Sequence, residues 1–300
     1  MPIPRGDAGA DAEPKRIMSK KVVVTGGAGR LGRLAITTLM AHDWDVLAVD
    51  RVRPQGLPCR FLQTDLTASG AVLDVLAGAH AVLHLGAIPG PGSHPGAAIF
   101  HNNVTSTYHV VQAAAALGIG RLVFASTVFA LGWVEAGDRY WPQYAPVDEA
   151  HPLTPFEGYG LSKQVGEEIC AAASRRTGMA TVSLRIMNVI HPDGYGALPW
   201  PAPTGDAPVR FVMWPYVDAR DVARACRLAL EADTTGHEPF YLAARDIRFD
   251  RPTTDLLREL APPSLEIREP LEGQTSVICT RKAQELLGWE PEFGWRNPGP

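Results

Sequence analysis

The sequence has few cysteines, no long apolar run and little net charge, and each shortage excludes a class of protein. The four cysteines, Cys59, Cys170, Cys226 and Cys279, form neither a CxxC pair nor a Cys/His cluster. We therefore expect no metal site and infer a reducing compartment, the cytoplasm. No stretch of about 18 uncharged apolar residues is present to span a bilayer. A net charge of -4 gives no electrostatic reason to expect nucleic acid or an anionic membrane as a partner.

Short apolar segments alternate with segments of helical periodicity over the first two thirds of the chain. This alternation predicts an α/β fold, in which helices cover both faces of a doubly wound parallel sheet of the Rossmann type. The predicted strands are 21–25, 45–50, 60–63, 81–85, 121–126 and 180–186, and the predicted helices are 29–41, 68–77, 97–117 and 160–176.

The character of the sequence changes after Asn188. Residues 191–215 are rich in proline, glycine and tryptophan and contain no long periodic element, which indicates a substrate-facing insertion. Helices are predicted again at 221–231 and 253–260, and short strands near 240–242 and 264–267.

A glycine-rich turn joins the first predicted strand to the first predicted helix. Gly26, Gly29 and Gly32 follow one another at intervals of three, and Arg30 and Leu31 lie in the same turn. Because glycine has no side chain, the backbone can approach a pyrophosphate, and the helix N-terminus offers free N–H groups. The turn is therefore predicted to bind a dinucleotide.

The ends of the next strands extend this predicted cofactor site. Asp50 ends the second strand, where a carboxylate accepts hydrogen bonds from both hydroxyls of an adenosine ribose and repels a 2′-phosphate. This favours NAD over NADP, although Arg51 and Arg53 are near enough to pair with a phosphate. Further predicted cofactor contacts are Asp65, Leu66, Leu85, Gly86 and Ala87, which follow the third and fourth strands.

Tyr159 and Lys163 form a candidate catalytic pair. Their spacing of four places both side chains on one face of a helix. A nearby ammonium and a positively charged nicotinamide both favour the phenolate, so we expect the pKa of Tyr159 to fall toward the range of a general base. Ser126 and Thr127 end the fifth strand, where a hydroxyl can hydrogen-bond the substrate oxygen or cap a turn.

The sequence resembles extended short-chain dehydrogenases/reductases, because six of its features occur in the same order as in that family. They are the glycine triplet, the acidic end of the second strand, the DL pair, the HLGA turn, the ST pair and YGLSK. The resemblance covers about residues 21–235 and, more loosely, the KAQELLGWEPEFGW stretch. It implies NAD as cofactor, Tyr159 as acid/base, Lys163 as assisting lysine, and Thr127 in place of the usual serine. It also implies that Asn103 helps to position the lysine or a water.

Two branches of that family are alternatives for the reaction that the protein catalyses. The segment LRIMNV resembles a segment of nucleotide-sugar 4-epimerases. Those enzymes carry an arginine that holds the diphosphate of the substrate, and Trp214 occupies the corresponding place here, with Arg210 as a shifted substitute. The tryptophan resembles uronate and aldose dehydrogenases instead, whose substrates carry no nucleotide. A third alternative is an NAD-binding sensor that has lost the chemistry.

Aromatic residues of the insertion are candidates for stacking on a pyranose ring, although core or lid positions explain them equally well. The predicted substrate-binding residues are Ser126, Thr127, Asn188, Trp200, Trp214 and Tyr216. We divide the chain into a flexible leader (1–20), an NAD-binding domain with the catalytic residues (21–187) and a mainly substrate-binding region (188–300), from which some elements return to the first domain. The expected partner is a small carbohydrate-like molecule, and the resemblance implies a homodimer.

Overall fold

The computed structural model describes residues 20–132, 141–207 and 209–299, so the predicted leader lies outside the described residues except for Lys20. The strands are β1 (Lys21–Thr25), β2 (Asp45–Asp50), β3 (Arg60–Gln63), β4 (Ala81–His84), β5 (Arg121–Thr127), β6 (Tyr144–Ala145), β7 (Ala180–Ile186), β8 (Asn188–Ile190), β9 (Tyr216–Asp218), β10 (His237–Leu242) and β11 (Glu266–Ile267). The helices are α1 (Arg30–Met40), α2 (Ser69–Leu76), α3 (Gly96–Ala116), α4 (Gly158–Thr177), α5 (Ala219–Glu231), α6 (Thr253–Leu260) and α7 (Arg281–Leu287).

The predicted doubly wound parallel sheet is confirmed. Seven strands pair in the order β10, β7, β5, β4, β1, β2, β3, and every neighbouring pair is parallel. Although β10 lies in the C-terminal third of the chain, it pairs with β7. The sheet therefore draws strands from both sides of the change in sequence character at Asn188.

The central strands are buried on both faces because helices cover the sheet on both sides. Val22 and Val24 of β1 pack into the apolar cluster that includes Ile36 of α1 and Cys226 of α5. Val23 points the other way, into the cluster formed with α2, α3 and α4. Side chains alternate across a strand, so one run of valines serves two cores. Burial of each such side chain contributes about 1.5–3 kcal/mol.

Most predicted elements differ from the observed bounds by one or two residues, and two of these differences concern the catalytic candidates. β5 continues to Thr127, so both hydroxyl residues lie on the strand, and α4 begins at Gly158, ahead of Tyr159. The sequence also did not predict that β8 pairs with β9, with Asn188 opposite Tyr216. This small ladder folds the segment after β7 against a segment that lies about thirty residues later in the chain.

Within the described ranges, no helix combines the length and apolar character needed to cross a bilayer. Cys59, Cys170, Cys226 and Cys279 are all free thiols. The cytoplasmic location inferred from cysteine usage stays a prediction.

Candidate active site

A cavity of about 650 Å³ opens at the carboxyl edge of the sheet. β1 and β4 lie side by side there, but the chain runs from β1 to β2 on one side and from β4 to β5 on the other. The loops that follow two such strands diverge and leave a crevice between them. Residues at the ends of β1, β2, β4, β5 and β7, together with residues of α1 and α4, line this cavity.

The glycine-rich turn brings two backbone segments into closer approach than a side chain would permit. Gly26 has a φ of +71°, a conformation that favours glycine. A Cβ at this position would lie 2.8 Å from the Gly86 nitrogen and from the Leu85 carbonyl carbon. A Cβ at Gly32 would collide with the Gly26 oxygen. The turn after β1 therefore packs directly on the turn after β4.

The N-terminus of α1 faces the same cavity. Gly29 occupies the N-cap and supplies no side-chain hydrogen bond. Among the described residues, no backbone carbonyl accepts from the N–H groups of Arg30, Leu31 and Gly32, which all line the cavity. These donors and the positive end of the helix dipole fit a pyrophosphate. The Arg30 guanidinium itself pairs with exposed Asp193 at 2.5 Å.

Asp50 links the glycine turn to the end of β2. Its Oδ2 accepts a hydrogen bond from the Ala28 nitrogen and its Oδ1 accepts one from the Val52 nitrogen, both at 3.1 Å. A carboxylate has about four acceptor sites, so both oxygens keep capacity for ribose hydroxyls. Arg51 also lines the cavity. The carboxylate thus fits an unphosphorylated ribose, with a cation beside it.

Replacement of Asp50 by asparagine tests this ribose contact. We expect the Kd of NAD to rise about ten- to hundredfold, because a charge-assisted hydrogen bond contributes about 1.5–3 kcal/mol. The Kd of NADP should rise less, since the repulsion of its 2′-phosphate also disappears. Titration calorimetry with both cofactors measures the ratio. Asp45→Asn, at the other end of β2, is the matched control, and an unchanged NAD/NADP ratio in Asp50→Asn would contradict the ribose assignment.

The five other predicted contacts after the third and fourth strands all line the cavity: Asp65, Leu66, Leu85, Gly86 and Ala87. The Asp65 carboxylate also accepts hydrogen bonds from the backbone nitrogen and the hydroxyl of Thr67, at 2.9 and 2.8 Å. These two bonds lower the pKa of Asp65. The structure therefore brings together all the residues that the sequence assigned to the cofactor.

Thr127, Tyr159 and Lys163 meet where the end of β5 faces the first turns of α4, and all three line the cavity. The Thr127 hydroxyl lies close enough to the Tyr159 phenol to lower its pKa, and it accepts a hydrogen bond from the Phe129 nitrogen at 3.3 Å. The Lys163 ammonium donates to the Ala125 oxygen at 2.7 Å and lies 4.8 Å from the centre of the Phe124 ring and 5.8 Å from that of Tyr159. The arrangement places a hydroxyl, a phenol and a buried cation at one end of the cavity.

The pKa of Tyr159 does not shift in the direction that the sequence predicts. Burial raises it to about 12, the Thr127 hydroxyl acts to lower it, and the Glu157 carboxylate raises it further. The Lys163 ammonium, 5.8 Å from the centre of the Tyr159 ring, does not offset the effect of burial. Burial also lowers the pKa of Lys163 to about 8, so the ammonium is still the major form at pH 7.

Glu157 was not predicted as a site residue. Its carboxylate caps α4 by accepting hydrogen bonds from the nitrogens of Tyr159 and Gly160, both at 2.5 Å. A glutamate two positions ahead of the YxxxK segment is the sequence signal for this cap, since acidic residues favour helix N-termini.

Because the negative charge of Glu157 raises the pKa of the Tyr159 phenol, Glu157→Gln should lower that pKa. The phenolate exists above the pKa, so the rising limb of kcat/KM against pH for oxidation should move to lower pH. The weaker cap should cost about 0.5–2 kcal/mol of stability. Glu168→Gln, an exposed charge on the same helix, should leave the limb in place. A profile of Glu157→Gln that coincides with the parent profile would refute the coupling.

Ser126 and Asn103, two other polar residues of the predicted site, have hydrogen-bond partners within the protein. Ser126 lines the cavity, yet its hydroxyl donates to Glu167 at 2.6 Å. Asn103 makes no hydrogen bond to Lys163. Its amide accepts from the Ile88 nitrogen at 2.8 Å and donates to the Ile88 oxygen and to the Ser162 hydroxyl. Asn103 therefore attaches the loop after β4 to α4 rather than holding the lysine.

The structure does not bring the predicted aromatic residues to the cavity. Trp214 and Tyr216 are fully buried. The Trp214 indole donates to the Val209 oxygen at 2.9 Å, and the Tyr216 hydroxyl donates to Asp246 at 2.6 Å. Half-buried Trp200 is not among the described residues that line the cavity. Because the polar atoms of Trp214 and Tyr216 have protein partners, these two rings serve the core instead of a sugar face, and Trp200 packs against the same core cluster.

Asn188 does line the cavity, and Asn102 and His191, which sequence reasoning missed, line it as well. His84, the last residue of β4, is buried in the sheet. Its ring nitrogens contact the hydroxyls of Thr25 and Thr107, and burial lowers its pKa to about 3. Within the described part of the chain, no three His, Cys, Asp or Glu side chains gather in a group that could hold a metal ion.

The sequence and the structure are both similar to known proteins. The family model "NAD dependent epimerase/dehydratase family" matches residues 22–200. A UDP-glucose 4-epimerase of Corynebacterium glutamicum is 27% identical over 91% of each chain, and a uronate dehydrogenase of Pseudomonas syringae pv. tomato is 27% identical over 77% of each. A solved short-chain dehydrogenase/reductase superfamily protein from Agrobacterium tumefaciens with bound NAD has a TM-score of 0.72, at 25% identity, over 93% of this chain and 94% of that one.

Proposed function

The chain belongs to the NAD dependent epimerase/dehydratase family, and on that premise we propose that it is a dehydrogenase that oxidises a hydroxyl group of a free sugar or sugar acid. The observation that carries the proposal is the contact between Thr127 and Tyr159 at one end of the cavity, beside the Lys163 ammonium. A hydroxyl substrate placed there meets a proton acceptor, a hydrogen-bonding hydroxyl and a cation.

In the proposed reaction Tyr159 takes the proton of the substrate hydroxyl while the attached carbon loses a hydride, so that a C=O bond forms. NAD, when bound, would supply the hydride acceptor and the positive charge of its nicotinamide ring, and that charge would favour the phenolate. Thr127 holds the substrate oxygen through its hydroxyl. Lys163 keeps a positive charge near the phenol, since its ammonium is the major form at pH 7.

The surroundings of Trp214 support a substrate without a nucleotide. The sequence resemblance assigns this residue to the place of the arginine that holds the diphosphate in 4-epimerases, and its ring packs between Phe211 and Phe249. Arg210, the shifted substitute, is exposed and does not belong to the described lining of the cavity. A diphosphate would therefore lack a charge-assisted partner from either residue.

A second candidate function is nucleotide-sugar 4-epimerisation with tightly held NAD. It is favoured by the similarity to a UDP-glucose 4-epimerase over 91% of both chains. An epimerase returns the hydride to its substrate, so NADH does not accumulate. The third alternative, a sensor without chemistry, is disfavoured because the described site keeps Thr127, Tyr159 and Lys163 together.

The deciding experiment mixes purified protein and NAD with free aldoses, uronic acids and UDP-sugars and follows absorbance of NADH. We expect steady NADH formation with a free sugar or sugar acid and none with Tyr159→Phe. A UDP-sugar whose C4 stereocentre inverts without net NADH would establish the epimerase instead. No turnover with any of these compounds, despite NAD binding, would support the sensor.

We also propose a homodimer in which α3 and α4 pair with their copies in a second chain. Apolar side chains are exposed along these two helices: Tyr108 is 51% and Leu161 is 41% exposed. A dimer along α3 and α4 would remove these two apolar side chains from water, which favours association. Light scattering should give twice the mass of the chain, and Leu161→Glu should give the monomer. A monomer in the parent protein at micromolar concentration would reject the dimer.

A further inference from the structure

Arg248 is a fully buried arginine without a carboxylate partner in the part of the chain that the structure describes. Its Nε and Nη1 have no hydrogen-bond partner there. The Trp200 ring lies 4.2 Å from the guanidinium carbon, and the Tyr216 ring lies 6.0 Å from it. Burial lowers the pKa of Arg248 to about 10, which still leaves it charged at neutral pH. A buried cation without a counter-charge is costly, so its position calls for an explanation.

The polar contacts of Arg248 lead directly to the cavity. Its Nη2 donates to the Asn188 Oδ1 at 3.1 Å and to the Pro215 oxygen at 3.0 Å. Asn188 lines the cavity just after β7, and the end of β7 pairs with Thr127 at the end of β5. The side-chain amide of Asn188 therefore separates the Arg248 guanidinium from the cavity, on the side where Thr127 and Tyr159 lie.

An arginine carries only donors, and this decides how the Asn188 amide is oriented. The amide oxygen must face Arg248, because the amide nitrogen would oppose a second donor. The Asn188 Nδ2 has no acceptor among the described residues. The Nδ2 atom of Asn188 is thus available to donate hydrogen bonds to a ligand in the cavity. The Arg248 guanidinium, bonded to the amide oxygen, polarises the N–H bonds of that atom.

We propose that Arg248 is a positioning residue that fixes Asn188 as a hydrogen-bond donor toward the substrate and selects substrates with an acceptor oxygen there, above all a carboxylate. The proposal rests on the dehydrogenase function and narrows its substrate class to sugar acids. A carboxylate bound to the Asn188 amide would also meet the positive field of Arg248, in a buried site where screening is weak. A hydroxymethyl group at the same place would gain only a neutral hydrogen bond.

The closest test is Asn188→Asp, which keeps the size of the side chain but turns the cavity-facing donor into an acceptor. The new carboxylate should pair with Arg248, so we expect Tm to rise. Binding of D-glucuronate to the NAD-loaded protein should weaken about ten- to hundredfold, whereas binding of D-glucose should change far less. Titration calorimetry on NAD-loaded protein measures both without requiring turnover.

Arg248→Met provides the second measurement. Loss of an uncompensated buried charge should leave Tm unchanged or raise it. The preference for D-glucuronate over D-glucose should disappear, with the loss in KM rather than in kcat, and Arg248→Lys should restore part of it. Arg245→Met, which removes an exposed arginine paired with Glu290, is the matched control and should keep the preference.

Two results would overturn the assignment. One is a parent protein that binds D-glucuronate no better than D-glucose. The other is an Arg248→Met variant that loses stability but keeps the preference, since that is the behaviour of a purely structural arginine. Preferential binding of D-glucuronate without NADH formation would leave the role of Arg248 standing and reject only the dehydrogenase.

Discussion

Tyr159→Phe is expected to lower kcat by a factor of about 10²–10⁴ or more, because the variant lacks the group that accepts the substrate proton. The Kd of NAD should stay within about twofold of the parent value. The ring is 9% exposed and packs edge-on against Phe129, with centroids 6.0 Å apart, and phenylalanine keeps that contact. Stopped-flow absorbance gives the rate, and calorimetry gives the affinity.

The control for this variant is Tyr108→Phe, which removes the hydroxyl of an exposed tyrosine on α3. It should keep full activity. If Tyr159→Phe kept more than about a tenth of the parent kcat, another group would have to accept the proton. A loss of NAD affinity as large as the loss of rate would indicate damage to the cavity instead of missing proton transfer.

Glu167→Met is expected to lower the free energy of unfolding by about 3–5 kcal/mol, because it leaves Arg185 charged and buried without a partner. The two side chains are each 7% exposed, and their closest contact, from Nη2 to Oε2, is 2.8 Å. Burial acts to lower the pKa of Arg185, but Glu167 overrides it and raises that pKa. Glu167 also accepts the hydroxyl of Ser126, so this network supports the wall of the active site.

Urea denaturation of the single variants and of Glu167→Met/Arg185→Met measures this effect. The double variant should recover most of the loss, because it buries no unpaired charge. Glu269→Gln is the comparison, since it breaks an exposed pair with Arg281 and should cost at most about 1 kcal/mol. A loss below about 1 kcal/mol in Glu167→Met would mean that water reaches the pair.

The residues proposed for the cofactor end were predicted from short stretches of the sequence. Gly26, Gly29 and Gly32 act through backbone geometry within one turn, and Asp50 acts from the end of a regular strand. Such features depend on local conformation and on the alternation of strands and helices, both of which are visible in a single sequence. The same holds for Tyr159 and Lys163, whose spacing is that of one helical face.

The predictions about the substrate end were wrong where they depended on packing between distant segments. Trp214 and Tyr216 were assigned to a sugar face, but the β8–β9 ladder carries them into the core. Nothing in the residues around Arg248 signals its contact with Asn188, because the two are sixty positions apart. The pKa of Tyr159 likewise depends on how completely the packed chain buries its side chain away from water.

The sequence by itself determined the parallel sheet and predicted the glycine turn, the ribose carboxylate Asp50 and the Tyr159–Lys163 pair, since each follows from short-range periodicity or spacing. The role of Thr127 was predicted from the family resemblance. The tertiary structure alone determined which aromatic rings are core, which way the Asn188 amide points, and where the Arg248 charge is buried. Those properties depend on burial and on contacts between chain segments far apart in sequence, and such contacts form only when the whole core packs.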